Sequence, residues 1–138
     1  MTIKAVLRRF VAGVLVTGFA VAPLAFPAGA SQLKTIFADK LPNVPGKNLT
    51  SIVVTFAPGE KSPRHHHAGS VFVYVLSGAV RSQNSATGPV KVYKAGDTFF
   101  EPPGSTHLIS ENASETEAAT ILTVFVADEG AKLTTIDK

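Results

Sequence analysis

The sequence contains no cysteine, and this absence excludes three kinds of chemistry at once. Without cysteine there is no disulfide bond, no zinc–thiolate site and no thiol nucleophile. Charged residues are also few, at 17%, while 45% of the residues are hydrophobic, a composition that can bury a core and argues against disorder. Any metal site in this protein must therefore be built from histidine and carboxylate side chains.

Acidic residues are missing from the first 30 positions, which hold the basic residues Lys4, Arg8 and Arg9. The net charge of +3 comes from this segment alone, because the remainder contains ten basic and ten acidic residues. A neutral remainder offers no basic surface to nucleic acid, so we expect no nucleic-acid partner.

Residues 1–30 have the three parts of a secretory signal peptide. The basic start is followed by an apolar run over 10–22 and then by Ala28-Gly29-Ala30, an A-x-A cleavage motif. We predict cleavage before Ser31, a secreted or periplasmic mature protein, and no stable membrane insertion after cleavage. A permanent membrane anchor is the alternative, since the run approaches the roughly 20 residues that span a bilayer. The Arg8-Arg9 pair leaves twin-arginine export open beside the general secretory route.

No convincing helical period and no internal repeat follow the leader. Residues 31–47 contain two prolines and a glycine without a clear period, which predicts an N-terminal extended arm over the surface or along an edge. From residue 48 to residue 138 we predict one domain of short strands separated by turn residues. The predicted strands are 48–56, 71–76, 79–83, 90–93, 98–101, 107–110 and 119–127. This spacing indicates an all-β sandwich or small barrel.

The four histidines are His65, His66, His67 and His107. Alternate residues of a strand share a face, so His65 and His67 point the same way and His66 points the opposite way. A further histidine from a distant strand would complete a three-nitrogen site with positions left open for water, dioxygen or substrate. The candidate metal ligands are therefore His65, His67 and His107.

At these residues the sequence resembles the cupin superfamily. The first cupin motif, G-x5-H-x-H with a later glycine, is matched by Gly59, the two alternate histidines and Gly78. The second, G-x5-P-x-G-x2-H-x3-N, is matched by Gly96, Pro102, Gly104 and His107, with Asn112 one residue late. The resemblance covers residues 48 to about 127, and it implies a double-stranded β-helix, or jelly-roll barrel, of the small single-domain kind.

One motif position departs from the family. The glutamate that the first cupin motif contributes to the metal falls at position 71, where this chain has Val71. The site would then use three histidines alone, recruit another side chain, or have lost its metal. Glu101, six residues before His107, is the leading substitute and the candidate catalytic residue, and Gln83 is a weaker one. The alternative for Glu101 is a carboxylate at the rim, paired with Arg64 or Arg81.

The resemblance implies a divalent metal ion, with Fe, Mn, Zn or Ni as options. The corresponding activity is that of an exported dioxygenase or decarboxylase acting on a small organic acid, phenol or enol. The alternative is a non-catalytic periplasmic module that binds a small molecule or a metal. Cupins commonly pair through their sheets, and the apolar run Val71 to Leu76 suits a homodimer.

Overall fold

A computed structural model describes residues 31–138, and within this range the protein is built from β-strands without any helix. The described part of the chain accordingly contains no helix that is long and apolar enough to cross a membrane. The predicted signal peptide lies outside the described residues.

Ten strands follow one another along the described chain. They are β1 (Gln32–Lys40), β2 (Lys47–Phe56), β3 (His65–His67), β4 (Ser70–Ser77), β5 (Ala79–Asn84), β6 (Lys91–Lys94), β7 (Thr98–Glu101), β8 (Thr106–Asn112), β9 (Ala119–Asp128) and β10 (Thr134–Ile136). They form two antiparallel sheets of five strands. Sheet I has the order β1-β2-β9-β4-β7, and sheet II has the order β10-β3-β8-β5-β6. The expected all-β cupin architecture is confirmed.

Strict alternation along the central strands explains why the two sheets pack face to face. On β9, odd-numbered residues from Ala119 to Ala127 are buried, and the residues between them are half-buried. On β4, Val71, Val73 and Val75 are almost completely buried. A strand with this period presents one apolar face to the core, and β-branched residues pack well on such a surface. The core is formed by Phe56, Val71, Val73, Val75, Val80, Ala119, Ile121 and Phe125.

Glycine is required at two turns that position the later strands. Gly78, between β4 and β5, has a φ of +69°, and a Cβ there would lie 2.6 Å from the carbonyl oxygen of Ala118. Gly104 has a φ of +74° in the turn that leads into β8. Other residues rarely adopt positive φ, so these two motif glycines set the directions in which β5 and β8 leave their turns.

The terminal parts of the described chain both lie along sheet edges. The arm expected at residues 31–47 contains β1, which pairs antiparallel with β2 at the edge of sheet I. At the other end, β10 pairs with β3 at the edge of sheet II, a strand that the sequence did not predict. β1 is exposed along its whole length and β10 is largely exposed. Neither has the burial alternation that makes the central strands recognisable.

Candidate metal centre

Three histidines meet at one end of the cavity between the sheets. His65 and His67 lie on β3 and His107 lies on the neighbouring β8, directly opposite His65 in the antiparallel register. One nitrogen from each ring lies within 4.8 Å of the others. Three nitrogens that share one ion at about 2.0–2.1 Å lie roughly 3–3.6 Å from one another, so side-chain movements of about 1 Å towards a common centre would bring them together.

Backbone carbonyls fix the tautomers of the two β3 histidines. The Nδ1 of His65 donates a hydrogen bond of 2.7 Å to the carbonyl oxygen of Pro63, and the Nδ1 of His67 donates one of 3.1 Å to that of Leu133. Because a carbonyl oxygen only accepts, the proton is on Nδ1 in both rings and Nε2 carries the free lone pair. Such bonds orient metal-binding histidines and raise their basicity as ligands.

His107 is held from both sides of its ring. Ser82 Oγ lies 2.8 Å from its Nε2, and Glu101 Oε2 lies 3.2 Å from its Nδ1. Either nitrogen of an imidazole can bind a metal. If one nitrogen of His107 takes a metal, the other still has a hydrogen-bonding partner.

Glu101 is the buried carboxylate of the site. It lies on β7 directly opposite Val71 on β4, and only 2% of its surface is exposed. Its Oε2 lies 3.8 Å from Nε2 of His67 and accepts a hydrogen bond of 3.1 Å from the side-chain amide of Asn84. The cupin motif places its glutamate on β4 at position 71. In this protein the carboxylate lies instead on the neighbouring strand β7, directly beside that position.

The alternative of a rim carboxylate for Glu101 is wrong. Arg81, one of its two expected partners, forms an ion pair with Glu111 on the neighbouring strand instead. The interior position of Glu101 follows from the pairing of β7 with β4, since residues opposite each other in an antiparallel ladder point to the same face and Val71 is completely buried.

Burial and charge set the protonation states of the site. Burial lowers the pKa of His65 and the pKa of His67 below the ordinary value of 6.5, which favours the neutral, metal-binding form. Burial alone would raise the pKa of Glu101, but interactions with His107, His67 and Asn84 outweigh it and the pKa lies below 4.5. Glu101 is consequently ionised at neutral pH.

Two other residues singled out from the sequence lie outside the cluster. His66 points away from it and its Nδ1 lies 2.6 Å from Oδ1 of Asp137 on a more exposed surface. Gln83 is half-buried and alternates with the buried residues Ser82 and Asn84 of β5, so it does not line the cavity.

Four residues that support the site were not predicted from the sequence. Ser82 and Asn84 contact His107 and Glu101, and Leu133 and Thr134 contact Nδ1 of His67. Val80, Ser82 and Asn84 occupy alternate positions of β5 and therefore share one face of the strand, so their common orientation could have been inferred from their spacing. Leu133 acts through its backbone carbonyl, which residue identity does not reveal, and Thr134 acts through its hydroxyl at a strand that was not predicted.

The cavity beside the histidines has a volume of about 180 Å³. Clefts for drug-sized ligands are about 300–1,000 Å³, so this space fits a small molecule. Its apolar wall comes mainly from sheet I and its polar groups mainly from sheet II. Its apolar lining includes Leu33, Ile52, Val54, Ile121, Phe125 and Ile136.

The donor set fits a divalent transition metal. Three neutral imidazoles with a carboxylate beside them are a ligand set typical of Fe, Mn, Zn or Ni, and each imidazole has a hydrogen-bonding partner on its other nitrogen. The ions that prefer all-oxygen sites fit less well.

Taken together, two five-stranded antiparallel sheets that enclose a three-histidine cluster define a double-stranded β-helix protein with a metal-type site. Residues 52–125 match the family model described as the cupin domain, which is more than half of the chain. The chain belongs to the cupin domain family, as the motif resemblance indicated. Among curated proteins, none matches it by sequence.

Solved structures share the fold at low sequence identity. A double-stranded β-helix protein from Klebsiella pneumoniae is 21% identical with a TM-score of 0.61, over 83% of this chain and 90% of that one. A DMSP lyase from Ruegeria pomeroyi is 20% identical with a TM-score of 0.56, over 64% and 42%. A mutant oxalate decarboxylase from Bacillus subtilis is 26% identical with a TM-score of 0.55, over 64% and 23%.

Proposed function

We propose that this protein is a metal-dependent cupin enzyme in which His65, His67 and His107 hold a divalent ion and Glu101 acts beside it. The proposed reaction is an oxygenation or decarboxylation of a small organic acid, phenol or enol. The observation that carries the proposal is the buried Glu101 carboxylate within 3.2 Å of one imidazole and 3.8 Å of another. A purely structural carboxylate has little reason to be buried among three histidines, because burial of a charge is costly.

The roles of the protein groups follow from their contacts. When bound, the ion would supply Lewis-acid activation of an oxygen ligand. Asn84 holds Glu101 through its amide, and the ionised carboxylate can accept a proton from a substrate that binds next to it. Ser82 holds His107 from the opposite side of its ring and keeps it turned towards the cavity.

The choice of ions to test is supported by one structural neighbour. One of the similar solved structures is a Bacillus subtilis oxalate decarboxylase with Mn(II) centres. The match to this chain covers 23% of the decarboxylase chain. Manganese therefore belongs among the ions to be tested, together with iron, zinc and nickel.

The experiment combines elemental analysis with turnover. The protein is purified without added metal, its metal content is measured, and oxygen uptake and carbon dioxide release are screened with small acids, phenols and enols. Stoichiometric metal and a turnover that Glu101→Gln removes while metal remains bound support the enzyme. Metal together with ligand binding but no turnover with any substrate favours the non-catalytic binding module instead.

Export is also proposed, on the pattern of residues 1–30. The intact mass of protein from cell envelopes is expected to correspond to a chain that begins at Ser31. A mass that includes residues 1–30 in a membrane fraction would instead indicate a permanent anchor.

We further propose that two copies pair through the outer face of sheet I. Phe72, Tyr74 and Leu76 on β4 and Phe100 on β7 are large apolar residues exposed on this face. The outward positions beside them on β9, from Thr120 to Val126, carry no charge. This uncharged part of the face, on β4, β7 and β9, can pair with its own copy without like-charge repulsion, as an isologous dimer requires. Light scattering is expected to give a dimer, and Tyr74→Lys is expected to give a monomer.

A further inference from the structure

Two exposed apolar side chains lie at the cavity. Leu33 on β1 is 67% exposed and Ile136 on β10 is 53% exposed, yet both line the same cavity as the three histidines. They come from the first and last strands of the described chain, and both strands lie outside the residues 52–125 that match the cupin model. The family core therefore does not supply this part of the cavity wall.

The strand registers show that both residues face inward. Leu33 is opposite Val54 on β2, and Ile136 is opposite His65 on β3. Opposite residues of an antiparallel ladder project from the same face of the sheet. Val54 and His65 both line the cavity, so Leu33 and Ile136 extend its wall outward to the solvent. We refer to these two residues as the apolar gate.

Contacts at the ends of both strands hold the gate in position. Ser31, next to β1, contacts Glu60 through its hydroxyl, and Asp137, next to β10, bonds through its backbone N–H to the carbonyl of Arg64. Asp137 also contacts His66 through its side chain. The gate residues are therefore attached at defined places while their side chains remain open to solvent.

The charges along the cavity limit what can bind there. Among the cavity-lining residues of the described chain there is no lysine or arginine, and Glu101 is the one carboxylate. With neutral imidazoles as ligands, a divalent ion and Glu101 together carry one net positive charge. One bound monoanion neutralises this charge, whereas a dianion leaves a negative charge in an apolar space, which is costly.

We propose that the apolar gate of Leu33 and Ile136 selects singly charged acids, phenolates or enolates that carry a short apolar chain or ring, and that the site rejects dianions. This inference rests on the proposed metal site. The anionic oxygen faces the histidines and Glu101, and the apolar part lies along Ile52, Val54, Ile121 and Phe125 towards the gate.

The test measures binding instead of activity. Full-length, metal-loaded protein is titrated calorimetrically with acetate, butanoate and hexanoate, and with the dianion hexanedioate, which matches hexanoate in length. We expect affinity to rise about two- to fourfold for each added methylene that the wall buries. Hexanedioate is expected to bind at least about tenfold more weakly than hexanoate, because its second charge is uncompensated.

The variants separate the gate from general surface hydrophobicity. The double variant Leu33→Ala with Ile136→Ala is expected to lose about three- to tenfold in hexanoate affinity and to bind acetate within about twofold of the parent. Val92→Ala is the matched control, since Val92 is 48% exposed on β6 and does not line the cavity. Metal content is measured for every protein before titration.

Each outcome decides between the proposals. Equal affinity for acetate and hexanoate, or a double variant that behaves like Val92→Ala, overturns the gate while the metal site stands. Hexanedioate binding as tightly as hexanoate overturns the charge selection. A parent protein that binds no metal overturns the proposed function and this inference together.

Discussion

Sheet I and sheet II face each other across one cavity and contribute opposite kinds of side chain to it. Sheet II supplies the three histidines and Ser82, the partner of His107, whereas the cavity wall on sheet I is largely apolar and carries one ionised group, Glu101. The difference teaches that metal binding and hydrophobic packing are largely separate properties of two surfaces. Changes on sheet II should alter metal binding, and changes on sheet I should alter stability.

The largest expected effect is the loss of a sheet II ligand. His107→Ala is expected to abolish stoichiometric metal at neutral pH, because two imidazoles do not replace a three-nitrogen site. His66→Ala is the matched control, since His66 is an adjacent histidine that faces away and contacts Asp137. Elemental analysis after dialysis measures both. If the two variants lose metal equally, the face assignment of β3 is wrong.

A core change on sheet I should instead lower the free energy of unfolding. Ile121 is nearly buried in the middle of β9 and also lines the cavity. Ile121→Ala is expected to cost about 2–5 kcal/mol through lost burial and the cavity it leaves. Urea unfolding of the metal-free protein measures the change. Metal stoichiometry of the folded variant should stay at the parent level, and its loss would contradict the separation of the two sheets.

Glu101 connects the two sheets, and its loss should have an intermediate effect on metal affinity. Glu101→Gln keeps the shape but removes the charge next to His107, and we expect metal affinity to fall about 10- to 100-fold. Competition with a chelator measures the affinity. An unchanged affinity would mean that Glu101 contributes no electrostatic attraction to the ion.

The register of β7 and β4 allows a sharper test of the same carboxylate. Val71 is opposite Glu101, so exchanging the two residues moves the carboxylate by one strand to the cupin motif position. Val71→Glu combined with Glu101→Val is expected to recover most of the affinity that Glu101→Val alone loses. Val71→Glu alone places two carboxylates side by side in the interior, and it should be less stable than the exchange.

The smallest expected effect is the change in the free energy of unfolding of the metal-free protein as the pH is lowered. The folded state lowers the pKa of His65, of His67 and of Glu101, so the unfolded chain binds more protons as the pH falls. The free energy of unfolding should therefore decrease from about pH 6.5 downward, first through the histidines and then through Glu101. Urea unfolding at pH 7.5, 6.0, 5.0 and 4.0 measures this, and replacing both histidines with glutamine should flatten the upper part of the curve.

Features that depend on local sequence patterns could be predicted, whereas features that depend on long-range strand pairing could not. The strands β2, β4 and β9 were predictable because each is a run rich in β-branched and apolar residues bounded by turn residues, and the histidine set was predictable because its spacing matches two motifs. The side on which Glu101 lies was not predictable, because the Pro102-Pro103-Gly104 turn interrupts the period before His107. Its position depends on β7 lying beside β4, a register that local sequence does not encode.

The attachment of β10 to β3 has a consequence for how the site can lose an ion. The carbonyl that fixes His67 belongs to Leu133, and the partner of His66 is Asp137, so one short edge strand and its flanking residues hold both histidines. This strand pairs with β3 through three residues and is largely exposed, so it opens at a lower free energy than the central strands. When it opens, His67 loses both its fixed tautomer and its neighbouring strand. Fraying at one sheet edge is thus a route by which an ion can leave while the rest of the barrel stays folded.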